Sequence, residues 1–226
     1  MCGRFSLCVE KKEFELYLED QYGIFGSHDE WVLPRYNIAP GQDVISIIND
    51  GKKNRVGVFK WGLVPPFATD EKIGYNMINA KAETLIEKPS FKPSLKTKRC
   101  IILANGFYEW KKEGKKKAPM RFVLTNQTIF PLAGLWSTYI RPDGTKLHTC
   151  TIITTQANQV VSALHDRMPV ILTAEARAVW LNPMITNSDA LLPLLAPYSE
   201  TLMSSYPVSD AVNRAENDAP ECVKAL

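Results

Sequence analysis

The chain has 226 residues, of which 45% are apolar and 23% charged, and its net charge is only +3. These values fit a soluble globular fold with a substantial core and exclude a polycation, so affinity for nucleic acid must come from local patches. No apolar run is long enough to span a bilayer, and no charged segment leads into an apolar leader.

Lys11 to Tyr22 reads as a helix, with Phe14, Leu18 and Tyr22 forming one apolar stripe. Gly23 to Pro34 is a loop, and His28 within it is expected to be solvated. A strand is expected at Val44–Ile48, a turn at Asn49-Asp50-Gly51 and a second strand at Arg55–Trp61, because Asp-Gly between apolar runs signals a hairpin. Pro65-Pro66 excludes a central strand and fixes a surface turn. A basic run follows from Lys88 to Arg99, then a strand near Cys100–Trp110. A lysine-rich hairpin tip containing Gly114 connects it to another strand near Met120–Thr125. Strands near Ile129–Ile140 and Lys146–Thr155 are joined by the turn Arg141-Pro142-Asp143-Gly144. Ala157–Leu164 is a short helix, Val170–Leu172 a strand, and Thr173 caps a helix with Glu175 in its first turn. Strands that neighbour one another as hairpins, with a few short helices and no regular βαβ alternation, predict an α+β fold. Its sheet is largely antiparallel and barrel-like, in a single domain over 2–226.

The five cysteines, Cys2, Cys8, Cys100, Cys150 and Cys222, are odd in number and lack CxxC or CxxH spacing. That pattern points to free thiols in a reducing cytoplasmic setting, with Cys100 and Cys150 buried in apolar strands. Cys2 differs because it becomes the mature amino terminus once Met1 is removed. It then carries an amine of pKa about 7.7–8.0 beside a thiol of about 8.5, a pair suited to an aldehyde. The amine forms a Schiff base and the thiol closes onto the same carbon as a thiazolidine. Position alone favours a small packed hydrophobe, so the role depends on partners elsewhere.

Candidate partners lie at the edges of apolar runs. Glu109, between Tyr108 and Trp110, is either desolvated toward proton-transfer range or an ordinary water-facing strand residue. His165, flanked by Asp166 and Arg167 before a proline, is a candidate acid or base, whereas His148 reads as structural. Asn79 offers a neutral amide to orient a substrate, or serves a turn. Arg4, Lys81 and Arg167 are candidate phosphate contacts. Three scattered histidines make no recognisable metal set, and no GxSxG elbow is present.

The ordered motifs MCGRF, RYNIAP, WGLVP, INAKAE, GFYEW and HDRMP closely resemble the SRAP (SOS-response-associated peptidase) family, whose members process abasic sites. The resemblance implies a DNA-damage protein that senses abasic sites in single-stranded DNA and crosslinks to them through Cys2. It also implies DNA lyase, crosslink-reversal and autoproteolytic activities. It requires no cofactor or metal. It further implies a monomer that associates with the nucleoid and has replication-fork proteins as further partners. By position, Asn79 would contact the opened sugar, Glu109 would move protons, and His165 would assist ring opening. Arg4 and Arg167 would grip phosphates, and Trp61, Phe67 and Trp110 would stack on bases. Lys81 departs from the arginine common in the family, keeping the charge but not the bidentate fork. Two rival readings are a cysteine peptidase with Cys2 and His165, and a non-catalytic single-strand binder.

Overall fold

In the computed structural model, which describes residues 2–26, 31–113 and 116–226, the apolar runs pair into two sheets. The first closes on itself. Strands β3 (Asp43–Asn49), β4 (Asn54–Trp61), β10 (Lys146–Gln156), β9 (Phe130–Ile140) and β6 (Arg99–Ala104) follow one another around a ring, and β6 pairs back onto β3. Strict antiparallel alternation cannot close a ring of odd number. One parallel pairing is needed, and it falls between β4 and β10 at Lys60–Thr149 and Trp61–Cys150. The barrel is narrow where β9 crosses β6 and β10. A Cβ on Gly134 would meet Ile102 Cδ1 at 2.7 Å and both Cys100 Sγ and the Thr151 carbonyl at 2.9 Å, so only glycine fits.

The second sheet runs β12 (Met203–Pro207), β8 (Lys116–Leu124), β7 (Gly106–Glu113), β1 (Phe5–Leu7), β2 (Arg35–Ile38). Its side chains alternate between two covers. Phe5, Phe107 and Phe122 join the main core, where Phe107 and Phe122 stack at 4.9 Å. Tyr108 and Trp110 point to the other face, onto a small cluster of Val208, Val212 and Cys222 from the carboxy-terminal segment. Glu109 therefore shares the barrel-facing side with Phe107. The expected α+β architecture with a barrel-like, largely antiparallel core is thus present, and the barrel is closed.

Several local expectations hold. Helix α1 spans Lys11–Tyr22, buries Phe14, Leu18 and Tyr22, and ends at Gly23 in the left-handed conformation (φ 64). Thr173 caps α4 (Ala174–Leu181) by accepting the Ala176 amide at 3.2 Å. Cys100 and Cys150 are buried, and all five thiols are free. His148 is exposed on β10, its Nδ1 3.0 Å from Thr138 Oγ1. His28 and the hairpin tip at Gly114 lie outside the described residues.

Two expectations are corrected, and one segment gains an element. The run 100–110 is not one strand, because the chain leaves the barrel at Asn105 and enters the second sheet. The Asn105 side-chain oxygen Oδ1 fixes that transfer, accepting from Ser6 Oγ at 2.9 Å and the Cys8 amide at 3.2 Å. The basic run 88–99, for which the sequence names no element, contains α2 (Lys92–Thr97), and its Arg99 is buried, donating to the carbonyls of Leu95, Lys96, Trp180 and Asn182 at 2.6–2.8 Å. The strand expected at 170–172 begins three residues earlier as β11 (Arg167–Pro169), because its partner is the end of β10. Ile171 retains a single bridge to Leu132. The short helices α3 (Gln159–Ser162) and α5 (Ser188–Leu191) complete the fold.

Candidate active site

The end of β10 organises the site. On one edge it pairs in parallel with β5 (Asn79–Lys81), matching Ile152 to Asn79 and Thr154 to Lys81. On the other edge it pairs with β11, matching Gln156 to Arg167. Two segments 88 residues apart, carrying Asn79 and His165–Arg167, thereby meet on one strand. Trp61 supports the first of them, donating its ring N–H to the Ile78 carbonyl at 2.8 Å.

Cys2 sits where the second sheet meets the barrel and is fully buried. The Asn79 side-chain amide donates to the Cys2 carbonyl at 2.9 Å, tying the amino-terminal segment to β5. The Asn79 side-chain oxygen is buried and accepts no hydrogen bond among the described residues, so it can receive one from a substrate hydroxyl or amine. Burial pushes the Cys2 thiol well above its ordinary pKa, and the nearby Glu109 charge adds to the effect. Glu109 is itself 5% exposed. Burial raises its carboxyl from 4.5 to about 7, with Asp166 repelling its charged form. A carboxyl balanced near neutrality can both give and take a proton there.

His165 is 29% exposed and follows α3. Its Nδ1 lies 2.9 Å from the Arg167 amide nitrogen and 2.8 Å from Asp166 Oδ1. One lone pair cannot serve both partners. Nδ1 accepts the amide when it is unprotonated and donates to the carboxylate when it carries a proton. Burial lowers the pKa of His165 and favours the neutral ring, and acceptance of the Arg167 amide at Nδ1 corresponds to the tautomer with its proton on Nε2. Asp166 acts electrostatically on both His165 and Glu109, which places the two titrating groups in one neighbourhood.

The remaining candidates divide. Phe67 is 62% exposed and Lys81 is exposed two residues from Asn79 on the same strand. Trp61 is corrected. It is 1% exposed and packs edge-on against Phe5 with ring centroids 5.2 Å apart, so no base can stack on it. Arg4 lies 5.9 Å from the half-buried Trp110 ring and donates to Asn37 Oδ1 at 2.8 Å and the Val212 carbonyl at 2.6 Å. Arg167 is nearly buried and forms a two-pronged pair with Glu83 at 2.7 and 2.8 Å. Both arginines are thus turned toward partners in this chain. Asn37 was not picked out as a functional residue, although it is the centre of RYNIAP. Besides accepting from Arg4, it donates to the carbonyls of Arg214 and Asn217 at 2.9 and 2.7 Å. Glu83 was missed in the same way inside INAKAE. A cavity of about 680 Å³ opens beyond Phe5, Ile38 and Lys60, but none of Cys2, Asn79, Glu109 or His165 lines it. Among the described residues no cluster of His, Cys, Asp or Glu could hold a metal ion.

The fold and this grouping define an α+β barrel protein whose titratable side chains converge on a buried cysteine at the amino terminus. Residues 1–215 match the family described as SOS response associated peptidase (SRAP), and the chain belongs to it. It is 50% identical over the full length of both chains to the abasic site processing protein YoqW of Bacillus subtilis. It is 30% identical, again over both full lengths, to the abasic site processing protein YedK of Escherichia coli. A crystal structure of a protein from Bacteroides thetaiotaomicron superposes with a TM-score of 0.87 at 27% identity, covering both chains completely.

Proposed function

We propose that this protein processes abasic sites in single-stranded DNA and captures them covalently through Cys2 once Met1 has been removed. The observation that carries the reading is the fully buried Cys2, tied to Asn79 at 2.9 Å beside a carboxyl of pKa about 7. The names of the relatives supply the substrate class.

An abasic sugar exists as a closed hemiacetal in equilibrium with an open aldehyde. Neutral His165, with its proton on Nε2, assists opening by passing that proton to the ring oxygen as the C1–O bond breaks, the anomeric hydroxyl gives up its proton to water to become the aldehyde, and Asn79 holds the freed hydroxyl. The Cys2 amine then attacks the aldehyde carbon and forms a carbinolamine. Glu109, whose carboxyl burial keeps available in its protonated form near neutrality, donates a proton to the departing hydroxyl, and water leaves as the imine forms. The thiol adds to the imine carbon, a C–S bond replaces the C=N π bond, and the thiol proton ends on the ring nitrogen. Running these steps backward reverses the crosslink, and loss of the C2 proton at the imine stage expels the 3′ phosphate by β-elimination and cleaves the strand. Phe67 stacks on a flanking base and Lys81 contacts the backbone.

The test incubates the protein with uracil-containing single-stranded DNA pretreated with uracil glycosylase and resolves the mixture on a denaturing gel. A shifted covalent band is expected from the natural sequence and none from Cys2→Ala. An absent band, or one undiminished by the substitution, overturns the proposal.

A further inference from the structure

We infer that Glu83 is a positioning residue for His165, acting through Arg167. The inference rests on the reading above and adds a residue to it. Arg167 is bonded in three directions. Its guanidinium meets both Glu83 oxygens at 2.7 and 2.8 Å, the same group donates to the Thr154 carbonyl at 2.6 Å, and its amide donates to His165 Nδ1 at 2.9 Å. The fork-to-fork pair, with the arginine side chain only 10% exposed, is the geometry in which an ion pair fixes orientation. An exposed lysine–carboxylate contact would not. Glu83 lies on the turn after β5 and Arg167 opens β11, so the pair clamps together the two segments that flank the end of β10.

The consequence reaches His165 through the backbone. While the clamp holds, the Arg167 amide occupies Nδ1 and the imidazole proton stays on Nε2. Without Glu83, Arg167 retains one carbonyl as its partner and turns outward toward water or a phosphate. The start of β11 then loosens, and Nδ1 competes for the proton. The charged groups facing this unit are Asp166 and Arg167 around His165, and Lys81 beside Glu83.

The experiment compares the natural sequence with Glu83→Gln and Arg167→Lys. It measures the single-turnover capture rate at saturating abasic single-stranded DNA and the DNA affinity in a Cys2→Ala background. It also records the imidazole ¹⁵N spectrum of His165 in the free protein. The expected result for Glu83→Gln is a rate lower by roughly 10- to 100-fold, the scale of a misplaced reacting group. Affinity should be equal or tighter, because a negative charge near the phosphates has been removed. The ¹⁵N shifts should move from a single Nε2–H tautomer to a mixture. Arg167→Lys keeps the charge without the fork and should move the spectrum the same way. An unchanged rate and spectrum would overturn the assignment, as would a slower rate explained wholly by weaker binding. Should the natural sequence capture no abasic DNA, the functional reading fails, while the tautomer spectra still decide whether Glu83 orients His165.

Discussion

Glu109→Gln offers a quantitative test, since it preserves the shape of the side chain and removes its titration. The carboxyl titrates at about 7 in the folded protein against 4.5 in an unhindered glutamate. The folded state therefore binds the proton more tightly than the unfolded chain. Below both values the two states are equally protonated and the group costs nothing. As pH rises, the unfolded chain releases its proton first, and folding stability falls until the folded value is passed. A separation of about 2.5 pH units at 1.36 kcal/mol each corresponds to about 3 kcal/mol. Urea unfolding of both proteins at several pH values measures this directly. Their stabilities should lie close together at about pH 4, and Glu109→Gln should be the more stable by about 3 kcal/mol at about pH 8. A difference independent of pH would show that Glu109 is not held protonated by its surroundings, and would remove its role as a neutral-pH proton donor.

Three further outcomes bear on the DNA contacts and on the order of bond formation. Phe67→Ala should weaken binding to single-stranded DNA by about 1–3 kcal/mol in the Cys2→Ala background. Trp61→Phe should lower the urea midpoint and leave affinity alone; equal affinity losses in a binding titration would restore Trp61 as a stacking residue. Cys2→Ala keeps an amino-terminal amine, so sodium borohydride should trap it on abasic DNA although no crosslink survives without the reductant. Failure to trap, alongside normal crosslinking by the natural sequence, would exclude an imine intermediate.

The parts of this fold that depend on near neighbours were legible in the sequence, and those that depend on distant ones were not. Helix α1 is written in Phe14, Leu18 and Tyr22, and the β3–β4 hairpin in Asn49-Asp50-Gly51. Closure of the barrel depends on pairing Trp61 with Cys150, which no local pattern reveals. The apolar run 100–110 looked continuous because hydrophobic pattern does not distinguish one buried sheet from the next. Glu109 is buried, but not by the neighbours that flank it in sequence. Tyr108 and Trp110 flank it in sequence but project from the opposite face of β7, and its burial comes from the barrel side. Arg4 and Arg167 looked like free cations because their partners, Asn37, Val212 and Glu83, lie 33 to 208 residues away.

The burial of Cys2 constrains the order of the chemistry. A reactive cysteine is ordinarily activated as a thiolate beside positive charge. Here complete burial and the charge of Glu109 both oppose ionisation. Glu109 therefore does not stabilise a thiolate, and in the proposed chemistry the amine acts first. Once the imine exists, addition of sulfur to its carbon leaves a basic nitrogen that can take the thiol's proton. The S–H proton then has a destination at the moment the C–S bond forms, and no free thiolate is needed. The same burial that makes the thiol a poor nucleophile in the resting protein shields it from oxidants and alkylating agents. In the proposed mechanism its reactivity is switched on by the substrate that supplies the imine, and selectivity for an aldehyde then follows from the site's electrostatics as well as from its shape.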